Sequence, residues 1–124
     1  MDLLSMHVEF KAQYPDISKT AGKLHLELWD EITSETVFIW FESLANALNR
    51  EMLDEIDAKK YKALFEFFRE HYFSGDNQVK SCIDVSFVEN LFWNVPASKA
   101  KNYWIIFPEV LKELYVNFHG REPI

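Results

Sequence analysis

The chain has 124 residues, of which 48% are apolar and 16% aromatic, and it carries a formal charge of −7. That is one ordinary domain with enough hydrophobic surface for a single core, which excludes a disordered acidic tail. The charge is uneven: residues 1–57 hold 12 Asp and Glu against 4 Lys and Arg, whereas residues 58–124 hold 8 against 9, a distribution that steers a basic partner and disfavours nucleic acid.

Cys82 is the only cysteine, so no internal disulfide can form. Its place beside Val79 and Ile83 reads as a buried, inert thiol, which fits a reducing cytoplasm. The start MDLLSMHVEF lacks the basic n-region of a signal peptide. No apolar run approaches the roughly 18–20 residues that cross a bilayer, so the expectation is a soluble protein without a membrane anchor. Glycine occurs only at 22, 75 and 120, and the four prolines are far apart. No linker divides the chain, and residues 1–124 read as one domain.

In chain order, Leu3 to Gln13 forms a short amphipathic helix that Tyr14-Pro15 ends, because the residue before a proline is driven out of the α region. A second helix, capped by Asp16 or Ser18, runs to about Trp29 through Ala21, Leu24, Leu28 and Ile32. Leu24 to Leu28 also alternates as a strand would, but no partner strand exists elsewhere. A third helix begins after Thr33 or Ser34. Its stripe is Val37, Trp40, Phe41, Leu44 and Leu48, with Glu35, Glu42, Asn46 and Asn49 on other faces.

Tyr61, Leu64, Phe65, Phe68 and Tyr72 make the stripe of a fourth helix. Lys62 and Glu66 are spaced for an i,i+4 pair on its wet side, and Gly75 is expected to stop it at positive φ. Asp76 caps a fifth helix carrying Val79, Ile83, Phe87 and Leu91, which Pro96 closes. After Ser98 come Tyr103, Trp104, Ile106, Phe107, Val110, Leu111, Leu114, Tyr115 and Phe118 before Gly120. Pro108 splits this last stretch into two short helices, standing in the first turn of the second. The expected fold is all-α, a single-domain bundle of about six or seven helices.

Chemistry is harder to find. His7, His25, His71 and His119 lie on different elements without Glu-x-x-His or i,i+4 spacing, so they do not read as metal ligands. Cys82 has no visible base, no Gly-x-Ser-x-Gly turn occurs, and three isolated glycines cannot cradle a phosphate. The reading is therefore of no catalytic residue, no metal and no cofactor.

What points outward is charge and aromatic surface. Glu27, Asp30, Glu31 and Glu35 surround the junction of the second and third helices, and Asp54, Glu55 and Asp57 the junction of the third and fourth. The two patches would lie at opposite ends of the third helix, about 20–25 Å apart at 1.5 Å per residue. Adjacent aromatics such as Phe67-Phe68 and Phe92-Trp93 cannot all face inward, which makes Phe67 and Trp93 candidate exposed anchors for a partner or a second copy. Two alternatives stand beside this: a small enzyme or ligand-binding domain using Glu89, His71 or Asp84, and an acidic regulatory adaptor or DNA mimic.

The pattern Asp84-x-Ser86-Phe87-x-Glu89-Asn90-Leu91, followed by Pro108, Leu111, Lys112, Tyr115, Phe118 and Gly120, resembles that of small acidic bacterial helical proteins. These are similar in size, acidity and aromatic content to immunity proteins of polymorphic toxin and contact-dependent growth inhibition systems. The resemblance covers about the last third of the chain. It implies a non-enzymatic protein whose acidic or aromatic surface binds and blocks a basic toxin domain, often a nuclease. The matching positions themselves are structural, so the resemblance assigns no residue a role.

Overall fold

The computed structural model describes residues 2–24 and 33–124. Among them are seven α-helices, α1 (Leu3–Gln13), α2 (Pro15–Leu24), α3 (Ser34–Leu53), α4 (Lys62–Ser74), α5 (Asn77–Ser81), α6 (Ala97–Ile105) and α7 (Glu109–His119), with a 3₁₀ turn at Ala58–Tyr61, a π-helical segment at Cys82–Val88 and no strand. The fold is the expected all-α bundle. The continuation of the second helix to Trp29, and the alternating reading of 25–28, fall outside the described residues.

Local chemistry sets most boundaries. Asp2 accepts from the Ser5 amide at 2.8 Å and opens α1. Tyr14, at φ −128° and ψ 64°, leaves the helical region as a residue before proline must. Pro15 then starts α2 directly, occupying the first-turn position where its missing N–H costs nothing, so neither Asp16 nor Ser18 is the cap. Thr33 and Thr36 form a reciprocal capping box at the start of α3. Asp57 caps the 3₁₀ turn through Lys59, and Asp76 caps α5 through Val79. Pro108 stands at the N-cap of α7, so the last stretch is split.

Two further expectations, about how helices end and continue, fail for identifiable reasons. Gly75 ends α4 in an extended conformation, φ −76°, not a left-handed one. A Cβ there would come 2.6 Å from the His71 carbonyl oxygen and closer still to the Val79 side chain. Close approach of α5, not backbone freedom, requires the glycine. The fifth helix does not run evenly to Pro96: after Ser81 it widens into π geometry, and the Glu89 amide reaches back five residues to the Asp84 carbonyl at 3.1 Å.

The core is aromatic. α3 makes its largest contacts with α2 and the π-helical segment. On one side Phe10, Trp40, Phe41, Phe67 and Phe68 meet mostly edge to face, and Phe68 stacks on Phe87 with ring centroids 3.8 Å apart. On the other, Phe92 meets Trp104, Phe107 and Tyr115 edge to face at 5.5–5.7 Å. Such pairs add about 0.5–1.5 kcal/mol each beyond their buried area.

Phe67 is therefore not a surface anchor. It is 5% exposed, packed on Phe10 and Tyr14 and stacked on His71 at 3.9 Å. The rule that neighbouring aromatics diverge fails because α1 covers the Phe67 side of α4 while Phe41 and Phe87 cover Phe68. Phe118, counted inward by periodicity, is instead exposed beside His119. On the wet face of α4 it is Arg69 that pairs with Glu66, at 3.6 Å, an exposed contact of little energetic weight.

Phe68→Ala should lower stability by about 3–5 kcal/mol, and Gly75→Ala by about 1–3 kcal/mol through overpacking against Val79. Urea unfolding followed by circular dichroism would measure both. A near-neutral Gly75→Ala would contradict the close-approach explanation.

Candidate partner-binding corner

The C-terminal end of α3 is where charge, an exposed indole and backbone strain come together. Helix α3 stops in a Schellman arrangement, with the Ile56 amide bonded to the Glu51 carbonyl at 3.2 Å and the Glu55 amide to Met52 at 3.0 Å. Glycine normally supplies the left-handed residue of this motif. Here it is Glu55, at φ 56°. Its carboxylate, with those of Asp54 and Asp57, is exposed, so the three acids of the second group share one solvent-facing turn.

Behind the patch lies a cleft floored by Ile56, Tyr103 and Ile106 and edged by Glu55, Asp57 and the exposed Ile105. The Tyr103 hydroxyl donates to the Ile56 carbonyl, and Tyr61 donates to Glu51. Lys99 donates to the Leu53 carbonyl at 2.7 Å, covering one of the free carbonyls at the helix end. Burial pushes the Tyr103 phenol above its ordinary value, and the charges of Glu51, Glu55 and Asp57 push it further. Three carboxylates thus act on one point.

On the other side of Leu53 an open groove is lined by Asn46, Asn49, Arg50, Leu53, Trp93 and Asn94. Trp93 is 63% exposed, as expected for an anchor. Its neighbours explain how it stays out. Phe92 and Asn94 have φ of 68° and 56°, which turns the chain so that Phe92 plugs into the core and Trp93 faces solvent. Asparagine tolerates this conformation; phenylalanine does so only under constraint. Asn49 supplies the constraint. It donates from Nδ2 to the Asn90 carbonyl at 2.8 Å and accepts from the Phe92 amide at Oδ1 at 2.7 Å.

Helical spacing puts Asn49 off the apolar stripe of α3, yet it is 5% exposed. The π-helical segment packs on that face of α3, and its last turn needs a polar partner. His119 serves the same end from α7, its Nε2 lying 3.1 Å from the Glu89 carbonyl. The signal that could have exposed the site is the Asn90-Leu-Phe-Trp-Asn94 run: two asparagines bracketing three large apolar residues suit a tight, left-handed turn better than a helix.

Of the other acidic residues, Glu27, Asp30 and Glu31 lie outside the described residues. Glu35 is exposed in the first turn of α3, about 30 Å from the corner for a helix of this length. The three residues named for an enzyme or ligand-binding site, Glu89, His71 and Asp84, stand in two places. His71 is buried against Phe67 and α1, with Nε2 3.6 Å from Glu9. Asp84 lies near Glu89, and Glu89 near His119; both carboxyls are raised chiefly by burial, Glu89 further by the charge of Asp84. Burial pushes the Cys82 thiol up to about 12, so it is inert. Among the described residues no group of three His, Cys, Asp or Glu could hold a metal, and no helix is long and apolar enough to cross a membrane.

The raised Tyr103 phenol has a signed consequence. A phenol harder to ionise in the folded state than in the unfolded one favours the fold up to about pH 10, and that contribution is lost as pH rises beyond it. Glu55→Gln with Asp57→Asn should let Tyr103 ionise at lower pH, measured by NMR titration of its ring resonances. An unchanged midpoint would mean that the carboxylates do not converge on it.

No curated protein and no solved structure matches the chain. A family model does, over residues 8–120, from within α1 to the Gly120 cap and so across the whole corner. The chain belongs to the family described as Domain of unknown function (DUF7674).

Proposed function

We propose that this protein is a non-enzymatic interaction protein that binds a basic protein partner at the C-terminal end of α3. In its most specific form it is a cytoplasmic immunity protein that occludes a basic, nuclease-like toxin domain. The observation that carries the reading is where the strain lies. Among the described residues, the three non-glycine positions with positive φ are Glu55, Phe92 and Asn94, and all three frame this one corner. Such residues cost about 1–3 kcal/mol each and persist where the conformation is used.

Supporting it, the corner joins what a docking site needs. Trp93 offers a large rigid apolar contact, of the kind that dominates interface energetics. Asp54, Glu55 and Asp57 add a negative field, which raises the on-rate for a basic partner and makes it salt-sensitive. The uneven charge of the chain reinforces that field.

The reading separates stability from binding at Glu55. Glu55→Gly should stabilise the fold by about 1 kcal/mol, because glycine has no left-handed penalty, while weakening capture of the partner. The partner to use is the basic C-terminal domain of a toxin encoded beside this gene, in catalytically inactive form, with titration calorimetry and stopped-flow kinetics at several salt concentrations. Trp93→Ala should raise Kd by about tenfold or more, and neutralising Asp54, Glu55 and Asp57 together should slow association and flatten its salt dependence. Metabolic genes as neighbours, or binding indifferent to both changes, would overturn the proposal.

A further inference from the structure

We infer that Asn49 is the positioning residue of this corner: its buried amide holds the chain from Asn90 to Phe92 so that Trp93 is presented to the partner before contact. This rests on the docking reading above and deepens it.

The geometry is reciprocal. One side chain satisfies a carbonyl and an amide two residues apart, Asn90 and Phe92, at 2.8 and 2.7 Å. It reaches them from α3, more than 40 residues earlier in the chain. Asn90 is itself tied back by Nδ2 to the Ser86 carbonyl at 2.8 Å, so the amide closes a short network that fixes the end of the π-helical segment. The Phe92 ring, locked among Trp104, Phe107 and Tyr115, holds the inward half of the turn. With Phe92 pinned at both backbone and ring, the next side chain has one direction left to take.

Asn49 also lines the groove that Trp93 overhangs, so no intervening element transmits its effect. A rigid, solvent-facing indole loses little conformational entropy on binding, which is how preorganisation gains affinity. Neither serine nor aspartate could do this: serine cannot span a donor and an acceptor two residues apart, and aspartate lacks the donor.

The test uses decaarginine peptide at low salt as a defined basic probe, with the full chain, its Trp93→Ala, Asn49→Ala and doubly substituted forms. Circular dichroism and thermal melting establish that each variant is folded at the working temperature. Trp93→Ala should weaken probe binding about two- to fivefold, the size of an exposed cation–π contact. Asn49→Ala should weaken it by a similar factor in the native background and not at all in the Trp93→Ala background, because it acts through the indole. An Asn49→Ala variant that binds like the native protein, or that weakens binding equally in both backgrounds, overturns the inference.

The Trp93 indole N–H resonance reports the clamp without any ligand, as one sharp signal that should broaden or divide in Asn49→Ala. If Trp93→Ala leaves probe binding unchanged, the docking reading has failed, and this signal still decides whether Asn49 orders the turn. Where Asn49→Ala does not fold, Asn49→Ser keeps a neutral hydroxyl that cannot reach both Asn90 and Phe92, and carries the same comparison without adding charge.

Discussion

The amide of Asn49 ties the two halves of this molecule together. It sits on the central helix, 41 residues before one of its partners and 43 before the other, and it caps the segment from which α6 and α7 depart. A buried amide is costly unless satisfied, and leaving such a partner unpaired costs about 1–3 kcal/mol. That penalty is what makes the contact specific. Hydrophobic packing is not directional, whereas the two hydrogen bonds of Asn49 are, and they are met in the register that the π-helical segment has on α3. The direction of the chain after residue 92, and hence the approach of α6 to the acidic turn, follows from that register.

Around this tie the core interleaves aromatic rings with leucines, isoleucine and valines. α4 carries two adjacent phenylalanines, and both are buried because two different layers cover it: α1 over Phe67, α3 and the π-helical segment over Phe68. A helix covered on two sides leaves little room for function on its own surface. The ends of helices remain, where chain reversal exposes backbone and polar side chains, and the left-handed non-glycine residues stand at two such ends.

Helical spacing made the stripes of α3, α4 and the segment from Val79 to Leu91 legible, because each stripe has one covered face and a period of 3.6 expresses that directly. The cap at Asp76 is equally readable, since a short polar side chain before an apolar run has few other uses. Asn49 and Phe67 were not. Both lie off the main stripe, and their burial depends on which second element packs beside it, a long-range fact that periodicity does not contain. The role of Gly75 was hidden for the same reason: its neighbour Val79 belongs to the next helix. Trp93 was legible only in part, as the member of an aromatic pair that must turn outward. That it shares a corner with Asp54, Glu55 and Asp57 depends on how the turn after the π-helical segment returns to the end of α3.

That juxtaposition changes how the two outward signals relate. Read along the chain, acidic residues and exposed aromatics are rival explanations of a contact surface, one acting at long range and the other at contact. In the folded molecule they flank Leu53, whose carbonyl is held by Lys99, and under the docking proposal they would act in sequence. Carboxylates on a turn attract a cationic surface over about one Debye length, 8–10 Å at ordinary salt, and then contribute little more because they remain solvated. The indole has no reach but supplies the desolvated area that slows dissociation. A corner with only the acids would capture a basic partner and release it quickly. With only the tryptophan it would hold a complementary pocket but find it slowly. Placing the acid at Glu55, in a conformation that glycine would adopt without strain, fixes one of these charges to the same rigid turn that ends α3. Under the docking proposal, the charge that would guide the encounter and the ring that would complete it stand on two turns held against the same end of α3.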